Sequence, residues 1–299
     1  MTMQQLLWQG TEKLNRAGVP DAGLDARYLL LEAFHMNLAS FLAAKDRELP
    51  GNEETLAMSR AFESLIHRRA GRIPLQHLTG VQEFMGFEFY VNEHVLIPRQ
   101  DTETLVELVL AEQKDRNAAL LDVCTGSGCI AISLALMGGY ENVTALDLSR
   151  EALAVAARNA ERLLKEYEGG FHLIESDMFE RVDGSVDGNS RYDIIVSNPP
   201  YIPSLTIDGL EPEVRDHEPR MALDGTADGL AFYRILAREC REHLKPGGCV
   251  YLEIGFDQGQ AVKQMFEEHG YTGVTVKHDM AGLDRVVRAG WKETGENYV

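Results

Sequence analysis

Basic residues are scarce in this chain: 29 Lys and Arg stand against 47 Asp and Glu, a formal charge of −18 over 299 residues. Through Pro98 there are 9 basic and 12 acidic residues, net −3, while the remainder carries 20 against 35, net −15. A surface so acidic repels polyphosphate, which argues against duplex DNA or naked RNA as a partner and suits a basic protein. Solubility alone would also account for it. Long apolar runs are lacking too. No stretch approaches the ~20 residues that cross a bilayer. Met1–Gly10 shows no basic start leading into an apolar run, so neither a membrane span nor a secretory signal is expected and the chain reads as cytoplasmic. The four cysteines, Cys124, Cys129, Cys240 and Cys249, form no C-x-x-C pair and no cysteine–histidine zinc spacing. No metal is expected, and reduced thiols are the default. Cys124 and Cys129 flank a glycine loop, where they read as small apolar filler rather than nucleophiles.

What is present is ordinary for a globular protein, 44% hydrophobic and 25% charged, and long enough for one large domain or two smaller ones. To about Ala70 the pattern is helical. Leu6, Leu7 and Leu14 make one apolar face, Leu24, Tyr28, Leu31 and Ala33–Phe34 a second, and Leu56, Phe62 and Leu65 a third. Arg68, Arg69 and Arg72 read as a solvated helix end rather than a contact for an acidic partner. From Leu78 to Ile97 the period falls to two, with Phe84, Phe87, Phe89 and Val91 broken by Gly80 and Gly86, which predicts a β-hairpin linker.

Beyond Asp101, a helix through Leu105, Leu108 and Val109 precedes strands at Leu120–Val123, Val143–Leu146, Phe171–Ile174, Tyr192–Val196 and Cys249–Ile254. Helices alternate with them at Cys129–Leu136, Glu151–Leu164, Leu230–Leu244 and Val262–Phe266. This is the signature of a parallel, doubly wound sheet. Two last strands, Tyr271–Val276 and Arg285–Val287, leave no room for a helix and predict an antiparallel hairpin at the sheet edge. Asp183–Ser190 reads as a surface loop.

Cys124-Thr125-Gly126-Ser127-Gly128 follows the first of these strands and opens a helix. Glycines let backbone approach a ligand, and the helix start offers free N–H groups. The dinucleotide pattern G-x-G-x-x-G is incomplete, with Ala131 at its last position, which some dinucleotide enzymes tolerate. Asp147 ends the second strand, where a carboxylate grips ribose hydroxyls in NAD and S-adenosylmethionine (SAM) enzymes alike. Its alternative is a helix N-cap shared with Ser149, and the preceding loop favours the ribose role. Asp177 could accept from an adenine amine and Met178 could pack on the ring, although Ser176–Phe179 alone is an unremarkable loop.

The most specific run is Asn198-Pro199-Pro200-Tyr201 after a buried strand. Two prolines fix φ and remove two N–H groups. The carbonyls of Asn198 and Pro199 and the Asn198 side-chain oxygen can then hold a planar –NH2 by its hydrogens, with Tyr201 walling it off. Methylation of an amide or aromatic amine needs that alignment, because the nitrogen lone pair is delocalised. The bland alternative is a strand-to-loop turn stiffened by proline.

These residues sit in a chain that resembles the PrmC/HemK family, the protein-(glutamine-N5) methyltransferases of class-1 peptide release factors. The likeness runs through Pro74–Gly80, Glu83-Phe84 with Gly86, Val95–Glu103, Asn198–Tyr201, Glu218-Pro219, Ala222-Leu223, Asp228–Leu230, Leu252–Gly255 and Asp279–Val287. It implies a helical substrate-docking domain over 1–75, a hairpin linker over 76–98, and a seven-strand Rossmann-like SAM-dependent methyltransferase domain over 99–299. The family glycine loop maps onto Cys124, Thr125, Gly126, Ser127 and Gly128, its ribose acid onto Asp147, and its adenine side onto Asp177 and Met178. Asn198 would lie beside both cofactor and substrate, with Asn198, Pro199, Pro200 and Tyr201 clasping the glutamine of a Gly-Gly-Gln motif, and Asn198 and Pro199 serving the chemistry. Gln100 and Cys124 depart from the usual proline and glycine of the family and read as local variation. Ribosomal-protein glutamine methyltransferases and adenine-N6 DNA methyltransferases share the Asn-Pro-Pro-Tyr motif. Pro98–Glu103 favours the release-factor branch, and the acidic catalytic half disfavours DNA.

Overall fold

The computed structural model describes residues 1–182 and 191–292, so the loop read at Asp183–Ser190 lies outside the described residues. The chain divides into two compact units: Met1–Val81 with Glu211–His217, and Gln82–Leu210 with Glu218–Val299.

The first unit is helical: α1 (Met3–Arg16), α2 (Ala22–Ala33), α3 (Leu38–Ala44), α4 (Glu53–Ala70), α5 (Leu75–Thr79) and, from the later segment, α9 (Pro212–His217). Side-chain caps start three of them. Thr2 and Gln5 form a capping box on α1, and Asn37 and Asn52 accept from Ser40 and Thr55 N–H. Leu6, Leu14, Leu29, Leu30, Phe62 and Ile66 form the core. A Cβ at Gly10 would come within 2.6 Å of the Phe62 ring, so the glycine lets α1 lie close against α4.

Two sequence expectations fail here. Leu24, Tyr28 and Leu56 are exposed, and α2 buries Ala22, Asp25, Ala26, Leu29, Leu30 and Ala33 instead. Apolar side chains occur on most sides of α2, so size alone does not mark its inner face, which Leu29 and Leu30 share with the small alanines. Arg69 is not a solvated helix end. It is buried, 2.6 Å from Asp25 and 2.9 Å from Glu213, and Arg72 forms a two-pronged pair with the same Glu213 at 2.7 and 2.6 Å.

In the second unit, apart from Val81 at its start, β1 (Val81–Phe84) and β2 (Phe87–Tyr90) form a two-stranded sheet. Both residues between them, Met85 and Gly86, have positive φ, as a tight hairpin turn demands. Then follow α6 (Gln100–Glu112), β3 (Ala119–Val123), α7 (Cys129–Gly138), β4 (Asn142–Asp147), α8 (Arg150–Leu163), β5 (Gly170–Glu175) and β6 (Tyr192–Ser197). A 3₁₀ turn (Ser204–Gly209) and α10 (Arg220–Leu223) precede α11 (Ala231–His243), β7 (Leu244–Glu253), α12 (Gly259–Glu268), β8 (Thr272–His278) and β9 (Asp284–Gly290).

The seven strands lie in the order β5-β4-β3-β6-β7-β9-β8. The first five are mutually parallel, and β9 runs antiparallel between β7 and β8, as two terminal strands without a connecting helix require. Period-two alternation splits the core into two layers. Leu120, Ile194, Val196 and Tyr251 face α6 and α7, whereas Leu121, Ile195, Val250 and Leu252 face α11 and α12. Strand β7 starts earlier than the expected Cys249. Leu244 already pairs with Tyr192, and the register then jumps to Ile194–Cys249, with Gly247 at φ +89° inside the bulge.

Candidate active site

Chain order reverses between β3 and β6, and in open α/β sheets ligands bind beyond the strand C-termini at such a point. A cavity of about 310 Å³ opens there. Its lining includes Cys124, Thr125, Gly126, Ser127, Asp147, Asp177, Met178, Asn198 and Pro200, all singled out from sequence. Gly128, Pro199 and Tyr201 are not part of the lining. Gly128, at φ +80°, begins α7, and a Cβ there would come within 3.0 Å of Ile132 and 3.3 Å of Ala156. Its absent side chain serves close packing of α7 on α8 as much as the loop.

The loop that bears the cavity floor is tied down by carboxylates and an amide. Asp147 Oδ2 accepts from Gly126 N–H at 2.8 Å and its Oδ1 from Ser149 N–H at 2.9 Å. Each oxygen keeps a lone pair for a ligand hydroxyl. Burial raises the Asp147 carboxyl above its ordinary value, and these amides oppose the rise. The N-cap of α8 is Ser149 itself, whose hydroxyl accepts from Ala152 N–H, so Asp147 is not that cap. A Cβ at Gly126 would meet nothing within 4 Å, so backbone lies open beside the cavity, and Ser127 Oγ is buried without a hydrogen-bond partner among the described residues.

Below, Thr125 Oγ1 donates to Asp122 Oδ2 at 2.6 Å, and burial lifts the Asp122 carboxyl to about 7. Asn159 on α8 accepts from Tyr90 N–H and donates to the Tyr90 and Ser127 carbonyls, fastening the glycine loop to β2. Cys124 and Met178 both sit at positive φ, +63° and +46°. The Cys124 departure is therefore more than local variation: a side chain occupies a left-handed position that favours glycine. Burial and the neighbouring Asp147 and Asp122 raise its thiol, which disfavours the thiolate.

Asn198 follows β6, whose last residue Ser197 donates from Oγ to the Val123 carbonyl at 2.6 Å, locking β6 to β3. The Asn198 side-chain N–H reaches Thr102 Oγ1 at 3.4 Å. Among the described residues, neither the Asn198 nor the Pro199 carbonyl accepts a hydrogen bond. Tyr201 Oη donates to Glu253 Oε1 at 3.2 Å. The Tyr201 carbonyl accepts from Gln258 Nε2 at 3.0 Å, and a Cβ at Gly229 would lie 2.3 Å from that carbonyl oxygen, so only glycine fits beside it.

Arg99, before α6, holds both Glu218 oxygens at 2.7 and 2.8 Å, and Glu218 is almost wholly buried. Burial raises the Glu218 carboxyl, opposed by the Arg99 charge. Glu253, 1% exposed, ends β7. Burial raises its carboxyl, opposed by the Thr102 hydroxyl, the Arg285 charge and the Tyr201 hydroxyl. The sequence singled out none of Thr102, Asn159 or Glu253 as site residues, because their partners lie 32 to 96 positions away. A buried-strand glutamate in Leu252–Gly255 was the one available signal.

Two family models match the chain: the PrmC N-terminal domain over residues 5–80 and the methyltransferase small domain over residues 100–208. The release factor glutamine methyltransferase of Geobacter sulfurreducens is 42% identical over 92% of this chain and 91% of its own length. That of Moorella thermoacetica is 42% identical over 95% of this chain and 97% of its own. Among solved structures, a methyltransferase from Pyrococcus furiosus, 19% identical, shares the fold with a TM-score of 0.50 over 70% of this chain and 91% of its own. With a seven-strand Rossmann-like sheet, a glycine-loop cavity at its switch point and relatives alike from end to end, the chain belongs to the release factor glutamine methyltransferase family of SAM-dependent enzymes.

Proposed function

We propose that this enzyme methylates the side-chain amide nitrogen of a glutamine, the one in the Gly-Gly-Gln motif of class-1 peptide release factors, in the cytoplasm. The helical domain over 1–75 is assigned the docking of that protein, the hairpin over 76–98 the role of linker, and 99–299 the chemistry. The observation that carries the amide reading is a set of uncommitted acceptors. Among the described residues, the Asn198 and Pro199 carbonyls take no hydrogen bond, and the Asn198 side-chain nitrogen is engaged by Thr102 while its oxygen is not engaged.

A primary amide offers two N–H donors and a poorly nucleophilic nitrogen. Acceptors fixed around it draw charge toward that nitrogen and align it for attack. SAM supplies an electrophilic sulfonium methyl. Asp147 would hold its ribose hydroxyls through the lone pairs left on each oxygen. The open backbone at Gly126 and the unpartnered Ser127 hydroxyl suit its amino-acid end, and Asp177 and Met178 its adenine. The amide proton is lost only after methyl transfer, when the nitrogen has become acidic, so no strong base is required.

Labelled SAM with the release factor of the same organism, wild type or with the Gly-Gly-Gln glutamine replaced, tests this reading. Label on the wild type alone is expected. Label on neither, with SAM still bound, would redirect the search to another glutamine-bearing protein.

A further inference from the structure

An asparagine side chain has one accepting end and one donating end. A substrate –NH2 brings donors only, so Asn198 serves it with Oδ1 and opposes it with Nδ2. Thr102 Oγ1, 2% exposed, faces Nδ2. A hydroxyl can accept or donate, however, and by itself it would tolerate either orientation of the amide. The direction is set one step further on. Glu253 is buried beside the Thr102 hydroxyl, and its Oε2 has no hydrogen-bond partner among the described residues. An ionised carboxylate accepts only. With Glu253 ionised, the form that Arg285 and the Thr102 and Tyr201 hydroxyls favour against burial, the Thr102 hydroxyl gives its proton toward it and accepts from Asn198. The same carboxylate takes the Tyr201 hydroxyl proton on Oε1. One buried charge thus dictates the sense of the bonds at both ends of Asn198–Tyr201.

We propose that Thr102 and Glu253 are positioning residues for methyl transfer: the Glu253 carboxylate, acting through Thr102, keeps the amide oxygen of Asn198 toward the substrate and, through Tyr201, fixes the far wall of the clasp. This rests on the reading of Asn198 as an acceptor for the glutamine amide. Thr102 forms part of the cavity wall beside Asn198, Glu253 does not line the cavity, and both act through Asn198 or Tyr201 rather than on the reacting atoms. Their effect is to remove a flipped Asn198 that would present a donor to a donor, a misalignment that slows transfer without weakening the cofactor site.

Single-turnover and steady-state kinetics on the full chain with SAM and release factor test it, beside the SAM Kd and the melting temperature. Thr102→Val preserves shape but neither accepts nor donates. It is expected to lower kcat about tenfold or more with SAM Kd unchanged, because only transition-state alignment is lost. Thr102→Ser restores kcat. Glu253→Gln, which can itself donate to Thr102 and so permits the wrong orientation, lowers kcat likewise. Adding Thr102→Val to Asn198→Ala costs nothing more, since the residue being oriented is gone. Wild-type kcat in both Thr102→Val and Glu253→Gln, with Asn198→Ala inactive, overturns the positioning role alone. Wild-type turnover by Asn198→Ala overturns the amide grip beneath it. Loss in Thr102→Val that serine does not restore, or that tracks a weaker SAM Kd, marks a packing role and also overturns the proposal.

Discussion

Each unit of this molecule buries a charge cluster, and the two are finished differently. In the helical unit, Arg69 meets Asp25 and Glu213, and Arg72 takes the remaining reach of Glu213, so every buried charge has an opposite partner. In the catalytic unit, Glu253 has hydroxyls on it, but Arg285, whose charge acts on it, makes its ion pairs at 3.2 Å with Asp101 and at 3.1 Å with Asp279. Among the described residues, Glu253 Oε2 has no hydrogen-bond partner. A saturated buried cluster holds helices in register and has nothing left to offer a ligand. A buried carboxylate left short of partners costs stability, and such sites persist where they set up chemistry.

The sharpest way to break this contrast is Arg69→Met. Stranding Asp25 without its cation is expected to cost about 3–5 kcal/mol in urea unfolding. Arg69→Met combined with Asp25→Leu recovers most of that loss, and a silent single variant would show that the cluster does not hold the helical unit. On the catalytic side, Asn198→Ala is expected to leave SAM bound while cutting kcat about a hundredfold, the scale of one preorganised acceptor. Near-normal methylation would remove the clasp. Asp147→Ala sharpens the cofactor half of the comparison. Loss of a charged acceptor from two ribose hydroxyls is expected to weaken SAM about tenfold or more by calorimetry, and an unchanged Kd would retire the ribose assignment. The smallest effect expected is from Cys124→Gly. Releasing a side chain from φ +63° should raise stability by about 1 kcal/mol in urea unfolding. A loss of stability would mean that Cys124 packing outweighs its strain.

Much of the catalytic unit was legible because its elements obey simple periods. Buried β3 and β6, the glycine loop between β3 and α7, and the helix-free final hairpin follow from patterns within a few residues of each other. The helical unit was harder. Asp25 lies in the buried stripe of α2 only because Arg69 meets it 44 positions later, and that pairing also inverts the reading of Arg69 as a solvated end. The short helices between β6 and α11, including α9, carry too little periodicity to be seen in sequence. Their places are set by contacts such as Glu213 to Arg69 and Ile202 N–H to the Leu223 carbonyl.

By itself the sequence determined the strand and helix alternation, the glycine loop, the acid at the end of β4 and the Asn-Pro-Pro-Tyr turn, since each depends on local sterics, on hydrophobic period or on a contiguous motif. Tertiary structure alone decided that the Asn198 side-chain nitrogen meets Thr102, that Tyr201 meets Glu253, that Arg99 clamps Glu218, and that Asn159 ties the loop to the hairpin. A hydrogen bond between side chains on separate elements leaves no periodic trace in the chain; it exists only once the sheet has brought those elements together.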